Sequence, residues 1–112
     1  MPGKFEIKKS ADGQFMFNLK SGNHEVILTS ELYKEKRSAI SGIASVRANA
    51  LDPVRYERKT AKNGSPFFVL KAGNGEVIGK SEMYSSATAM EGGIESVKKN
   101  ALAATVQDLT AN

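Results

Sequence analysis

Gly22-Asn23-His24-Glu25-Val26-Ile27-Leu28-Thr29-Ser30-Glu31-Leu32-Tyr33 is answered later in the chain by Gly73-Asn74-Gly75-Glu76-Val77-Ile78-Gly79-Lys80-Ser81-Glu82-Met83-Tyr84. Eight of the twelve positions are identical, at a constant offset of 51. Carried outward at that offset, residues 5–50 align with 56–101 without a gap, and 20 of the 46 positions match. Phe17, Leu19 and Lys20 lie over Phe68, Leu70 and Lys71; Gly42, Ile43, Ser45 and Val46 lie over Gly93, Ile94, Ser96 and Val97; Asn49-Ala50 lies over Asn100-Ala101. An ungapped match of this length marks a duplication. Solenoids and propellers need three or more units, so two units predict a closed pair with pseudo-twofold symmetry, the one-chain counterpart of an isologous dimer.

Each unit reads as strands followed by a helix. Phe5 and Ile7 alternate with Glu6 and Lys8, the period of a half-buried strand. Asp12-Gly13, and Asn63-Gly64 in the second copy, are hairpin signals of the type I′ kind. The next strand turns Phe15, Phe17 and Leu19 to one side; in copy two Pro66 replaces Phe15 and belongs at a strand start or edge, because it cannot donate to a ladder. Gly22-Asn23 and Gly73-Asn74 mark the following turn, and Glu25–Leu28 and Glu76–Ile78 a third strand. Ile40, Ile43 and Val46, then Met90, Ile94 and Val97, form helical stripes. Ser38 is the expected N-cap of the first helix and Ser85 or Ser86 of the second. Asn49 and Asn100 suit the left-handed position after a helix end. Gly42 and Gly93 cost about 1 kcal/mol each inside a helix, which implies close approach of the helix to the sheet. Val54–Arg58 and Thr105–Asp108 are further extended pieces. Strand runs with segregated helices predict an α+β fold with antiparallel sheet and both helices on one face. No Pro/Gly/Ser-rich linker separates the copies, so residues 1–112 are expected to form one domain of two repeats, about 4–54 and 55–108.

Composition narrows the function classes. At 112 residues the chain fits one modest core. With 40% apolar and 25% charged residues it has the make-up of a folded globular protein. The absence of cysteine removes disulfides, thiolate metal sites and cysteine nucleophiles; a reducing, cytoplasmic setting is expected, since small secreted domains usually carry staples. No apolar h-region opens the sequence and no run approaches the roughly 20 residues that span a bilayer. The formal charge is +4, with +3 up to residue 51 and +1 beyond it. That mild surplus permits an anionic partner without demanding one.

The phrases Gly22–Tyr33 and Gly42-Ile43-Ala44-Ser45-Val46-Arg47-Ala48-Asn49 closely resemble the YegP-like bacterial family, UPF0339, and the resemblance covers nearly the whole chain. It implies tandem β3-α-β units that pair into a single sheet and exchange their last strand, with Val54–Arg58 serving both copies. It implies no activity, cofactor or catalytic residue.

Ser30, Glu31 and Tyr33 with Ser81, Glu82 and Tyr84 are the leading matched polar set. Their functional reading is a pair of symmetry-related ligand sites, with Ser and Glu hydrogen-bonding and Tyr as a platform. Their structural reading is a turn in which Ser bonds nearby backbone. Lys34, Lys36 and Arg37, with Arg55, Arg58 and Lys59, form a candidate basic surface for single-stranded nucleic acid, with Phe67 or Tyr56 for stacking; the alternative is a solvated surface. His24 is the only histidine and aligns with Gly75, which speaks against a metal site. No phosphate-binding glycine loop and no nucleophile–base set stands at telling spacing.

The expected protein is therefore a small non-catalytic binding or interaction module without cofactor or metal, a monomer or dimer whose partner is an anion or another protein. The alternative is an enzyme or small-ligand protein built on the paired Ser-Glu-x-Tyr segments. The expected core is Phe5, Phe17, Leu19, Ile27, Ile43, Val46, Phe68, Leu70, Ile78, Ile94 and Val97.

Overall fold

The computed structural model describes residues 3–110. Strands β1 (Lys4–Lys9), β2 (Phe15–Lys20) and β3 (Val26–Ser30) lead into helix α1 (Lys36–Asn49), and a 3-10 turn at Pro53–Arg55 follows. The second copy repeats the order as β4 (Tyr56–Thr60), β5 (Pro66–Lys71), β6 (Val77–Lys80) and α2 (Ala87–Ala101), and the chain closes with β7 (Thr105–Asp108). All seven strands form one sheet in the order β4-β5-β6-β3-β2-β1-β7. The copies join at the centre, where Thr29 pairs with Lys80. Those two residues are equivalents at the repeat offset, so the pseudo-twofold axis passes between them.

Both helices pack on one face over a single core. All eleven expected core residues are buried, and Pro66 starts its strand as expected. Phe17 and Phe5 meet edge to face, as do Phe68 and Tyr56. On the axis the symmetry breaks for lack of room. Leu28 is fully buried, and a Cβ on its equivalent Gly79 would come within 2.8 Å of the Leu28 Cγ. One leucine fills the space of two.

Several local expectations are corrected. The sheet is mixed rather than antiparallel throughout: β7 lies parallel to β1, Phe5 beside Val106. Val54–Arg58 does not serve both copies. Its first part is the 3-10 turn, and from Tyr56 it is β4, paired only with β5. The first helix begins at Lys36 with Glu35 as its cap residue, so Ser38 lies in the first turn; Ser86 does cap α2, accepting from the Ala89 N–H at 3.1 Å. Asn49 and Asn100 stay helical, and their amides donate back to the Ser45 and Ser96 carbonyls at 2.8 Å. Ile40 is half exposed. Ala39 takes the core position, because one residue around a helix turns a side chain by about 100°. In the hairpins only one residue has positive φ, Gly13 or Gly64 at the first and His24 or Gly75 at the second. These are longer loops closed by one left-handed residue, not type I′ turns. His24 accordingly stands at φ 71°, where copy two has glycine.

Candidate functional site

The Ser-Glu-x-Tyr segments sit where β3 and β6 end. The two serines are committed to the backbone. A one-residue bulge at Ile27, and at Ile78, interrupts the pairing of each third strand. Ser30 then accepts from the Phe17 N–H at 2.8 Å and donates to the Glu31 carbonyl at 2.7 Å, and Ser81 does the same with Phe68 and Glu82. Both serines are buried. Their hydroxyls complete the ladder and have no proton left for a ligand.

Tyr33 and Tyr84 do something else. Each ring rests on the helix of its own repeat at a glycine. A Cβ on Gly42 would lie 2.6 Å from the Tyr33 hydroxyl oxygen and 2.9 Å from the Phe17 ring, and one on Gly93 would collide with Tyr84. The missing side chains let the tyrosines lie flat against the helices, and Tyr84 stacks on Phe68 with centroids 6.3 Å apart. Among the described residues neither tyrosine hydroxyl has a hydrogen-bond partner, and no buried side-chain polar atom lacks one. The hydroxyls therefore face open space.

That space is a pair of clefts related by the pseudo-twofold. The larger, about 930 Å³, is bounded by the Ser21–Ile27 hairpin of the first repeat and by Glu82, Tyr84, Gly93 and Ser96 of the second. The smaller, about 320 Å³, reverses the contributions, with Asn74, Glu76, Val77 and Ile78 from the second repeat facing Glu31, Tyr33, Gly42 and Ser45 from the first. Each cleft exists only because the two repeats pair. Eight identical residue pairs line both: Asn23/Asn74, Glu25/Glu76, Val26/Val77, Ile27/Ile78, Glu31/Glu82, Tyr33/Tyr84, Gly42/Gly93 and Ser45/Ser96.

The clefts are acidic. In the larger, Asn23 donates to the Glu25 carboxylate at 2.7 Å and orients it; Asn74 and Glu76 repeat this at 2.8 Å. Burial is the main cause that raises the Tyr33 hydroxyl above its ordinary range, with the carboxylates of Glu31 and Glu76 adding to it. Tyr84 is raised by burial, then by Glu82 and Glu25. In both, one carboxylate comes from each repeat. The hydroxyls are thus neutral donors in clefts that also carry two glutamates each. The larger cleft adds Glu95 and Lys99 where the smaller flank has Ala44 and Ala48. The hairpin glutamates and Ser45/Ser96 escape a reading of the sequence that stays within one repeat. Their signal was identity between copies at positions with no core role.

The six candidate basic residues do not come together. Lys34, Lys36 and Arg37 stand at the start of α1, beside β7, through a Lys36–Asp108 ion pair of 2.8 Å. Arg55, Arg58 and Lys59 lie on or just before β4, at the opposite end of the sheet. Arg37 pairs with Glu35 at 3.0 Å, Arg55 with Asp52 at 3.5 Å, and Arg58 with Glu91. Among the described residues no group of three His, Cys, Asp or Glu side chains could hold a metal ion, and no helix is long and apolar enough to cross a membrane.

Comparison with known proteins agrees with this architecture. A family model described as "Domain of unknown function (DUF1508)" matches twice, at residues 10–57 and 61–108. A UPF0339 protein of Acinetobacter baylyi is 57% identical over 110 residues, covering 98% of this chain and 99% of its own. The UPF0339 protein YegP of Escherichia coli K12 is 56% identical over 110 residues, covering 98% and 100%. The solution NMR structure of YegP superposes with a TM-score of 0.93 at 55% identity, covering 100% of this chain and 97% of that one. That of a UPF0339 protein from Shewanella oneidensis gives 0.91 at 50% identity, covering 97% and 92%. None of these names assigns a role. Two copies of one repeat, one shared sheet and likeness over the full length of these relatives place the chain in the UPF0339 (YegP) family.

Proposed function

We propose that this chain is a small non-catalytic binding module whose two clefts each hold a positively charged, hydrogen-bonding group, an amine or a guanidinium. The observation that supports this reading is the shared lining. Eight residue pairs kept identical in both repeats meet from opposite repeats at both clefts. The chemistry follows from the charges. A glutamate from each repeat lines each cleft together with a neutral tyrosine hydroxyl, so a cation with N–H donors finds charge-assisted acceptors there. Expected affinity is modest, because the carboxylates are exposed and water competes for them.

The test is an amide-resolved NMR titration with guanidinium and with a short alkyl diamine, against acetate as control. Saturable shifts at Asn23, Glu25, Tyr84 and Ser96, lost in a Glu25→Gln/Glu82→Gln variant, support the reading. Absence of cleft shifts with both cations, or equal shifts with acetate, overturns it.

A further inference from the structure

Both helices cover one side of the sheet, and no described element covers the other. Register identifies what that open face carries. One row crosses all seven strands: Gln107, Glu6, Asn18, Thr29, Lys80, Val69 and Glu57. Side chains two residues away along a strand share its face. Lys4, Lys8 and Lys20 therefore surround Glu6, while Lys59 and Lys71 flank Glu57. The ion pairs agree, with Glu6 2.9 Å from Lys20 and 3.3 Å from Lys4, and Glu57 2.5 Å from Lys71. Six lysines against two glutamates leave +4 on this face, which is the formal charge of the whole chain. The rest of the molecule, with ten basic and ten acidic residues, balances to zero.

Glu6, Lys8 and Lys20 are identical to Glu57, Lys59 and Lys71 at the repeat offset. They have no part in the core or the clefts. The single aromatic ring on this face is Phe67, opposite Lys59 and half-buried, with the Lys80 ammonium 5.3 Å from its centroid.

We propose that the open sheet face is a binding surface for single-stranded nucleic acid, with the six lysines meeting phosphates and Phe67 stacking on a base. A basic track with an aromatic platform is what a single strand requires, since every base presents a π-face. A seven-stranded sheet is too broad to enter a duplex groove, which admits a helix or a two-stranded ribbon. A membrane fits the face less well. Along β1, β2, β4 and β5 the apolar residues on this face are Met16 and Phe67, both half-buried, and Val69, which is buried, so little there would enter the acyl region. This surface lies across the sheet from the acidic clefts, and its failure would leave the clefts untouched.

The experiment is fluorescence anisotropy with a labelled single-stranded oligonucleotide at low and moderate salt. It compares the native chain with Lys8→Gln, Lys59→Gln, Lys80→Gln and Phe67→Ala, each checked for fold by its amide spectrum. A steep loss of affinity with salt is expected, since phosphate contacts release counterions. Each lysine variant should lower the salt slope by about one, and Phe67→Ala should weaken binding about tenfold. Three outcomes overturn the proposal: no binding at low salt; binding that survives the sheet-face variants and is lost in Lys34→Gln/Lys36→Gln; or binding to phosphatidylglycerol vesicles or polyglutamate as strong as to the oligonucleotide.

Discussion

At one flank of the sheet β7 covers β1, and Ile7 is 1% exposed. At the other flank β4 has no outer neighbour, and the residue aligned with Ile7 is Arg58, half-exposed and paired with Glu91. The covered flank is also clamped. Arg47 of α1 donates to the Ala101 and Ala104 carbonyls at 3.3 and 2.5 Å, holding the end of α2 where the chain departs for β7. Lys4 donates to Gln107 at 3.3 Å, and Lys36 holds Asp108. The open flank has none of these, and Lys36 has become Ala87. The cause is connectivity. The segment leaving α1 must itself become the first strand of copy two, so it cannot also return as an outer strand. The segment leaving α2 does return, as β7 beside β1. An uncovered edge is then guarded by charge, and divergence between the repeats follows from the strand that only one flank receives.

The sharpest way to break this comparison is to exchange the flank residues. Ile7→Arg buries an unpaired charge under β7 and should cost about 4 kcal/mol or unfold the chain. Arg58→Ile loses an exposed ion pair and should change stability by less than about 1 kcal/mol. Equal costs in urea melts would show that the flanks are not distinct environments.

Restoring symmetry on the axis comes next. Gly79→Leu places a second leucine against Leu28 and should cost about 2 kcal/mol by overpacking. A neutral result in the same melts would mean the centre can repack to admit both.

The helix starts differ by less. Ser86→Ala should destabilise α2 by about 1 kcal/mol, and Glu35→Ser should stabilise α1 by about 0.5 kcal/mol, because its cap residue makes no side-chain bond. Thermal melting of the two variants, read together, checks both signs.

The smallest effect is acidic. The Lys36 ammonium, followed by the Thr110 hydroxyl and backbone N–H, holds the Asp108 carboxyl well below its ordinary 3.8. A value depressed in the folded state means that its stabilisation is fully present above 3.8 and fades as pH falls through the folded value. Lys36→Met should flatten that acid-side loss, measured as amide exchange in β7, and leave β4 unchanged. A parallel change in β4 would tie the flanks together.

The duplication, the strands apart from the start of β4, Ser86 as one of two candidate caps and all eleven expected core residues were legible in the sequence, because alternation, helical spacing and turn residues act over a few neighbours. The cap at Glu35, the core position of Ala39 and the helical Asn49 were not. There, packing against the sheet overrode local preference. Ser30 and Ser81 were legible as backbone-binding serines. The larger lesson concerns range. Phe17 or Ile43 is apolar wherever the chain goes, so burial can be read from its identity. Glu25 comes to line one cleft with Tyr84 only after 51-residue copies pair across β3 and β6, and Ile7 differs from Arg58 only because β7 crosses to one flank. The repeat, its elements and its core follow from the order of residues, since those depend on side-chain chemistry and short spacing. The parallel last strand, the clefts shared between repeats and the gathering of net charge on the open sheet face arise only in the folded chain, since those depend on which distant segments become neighbours.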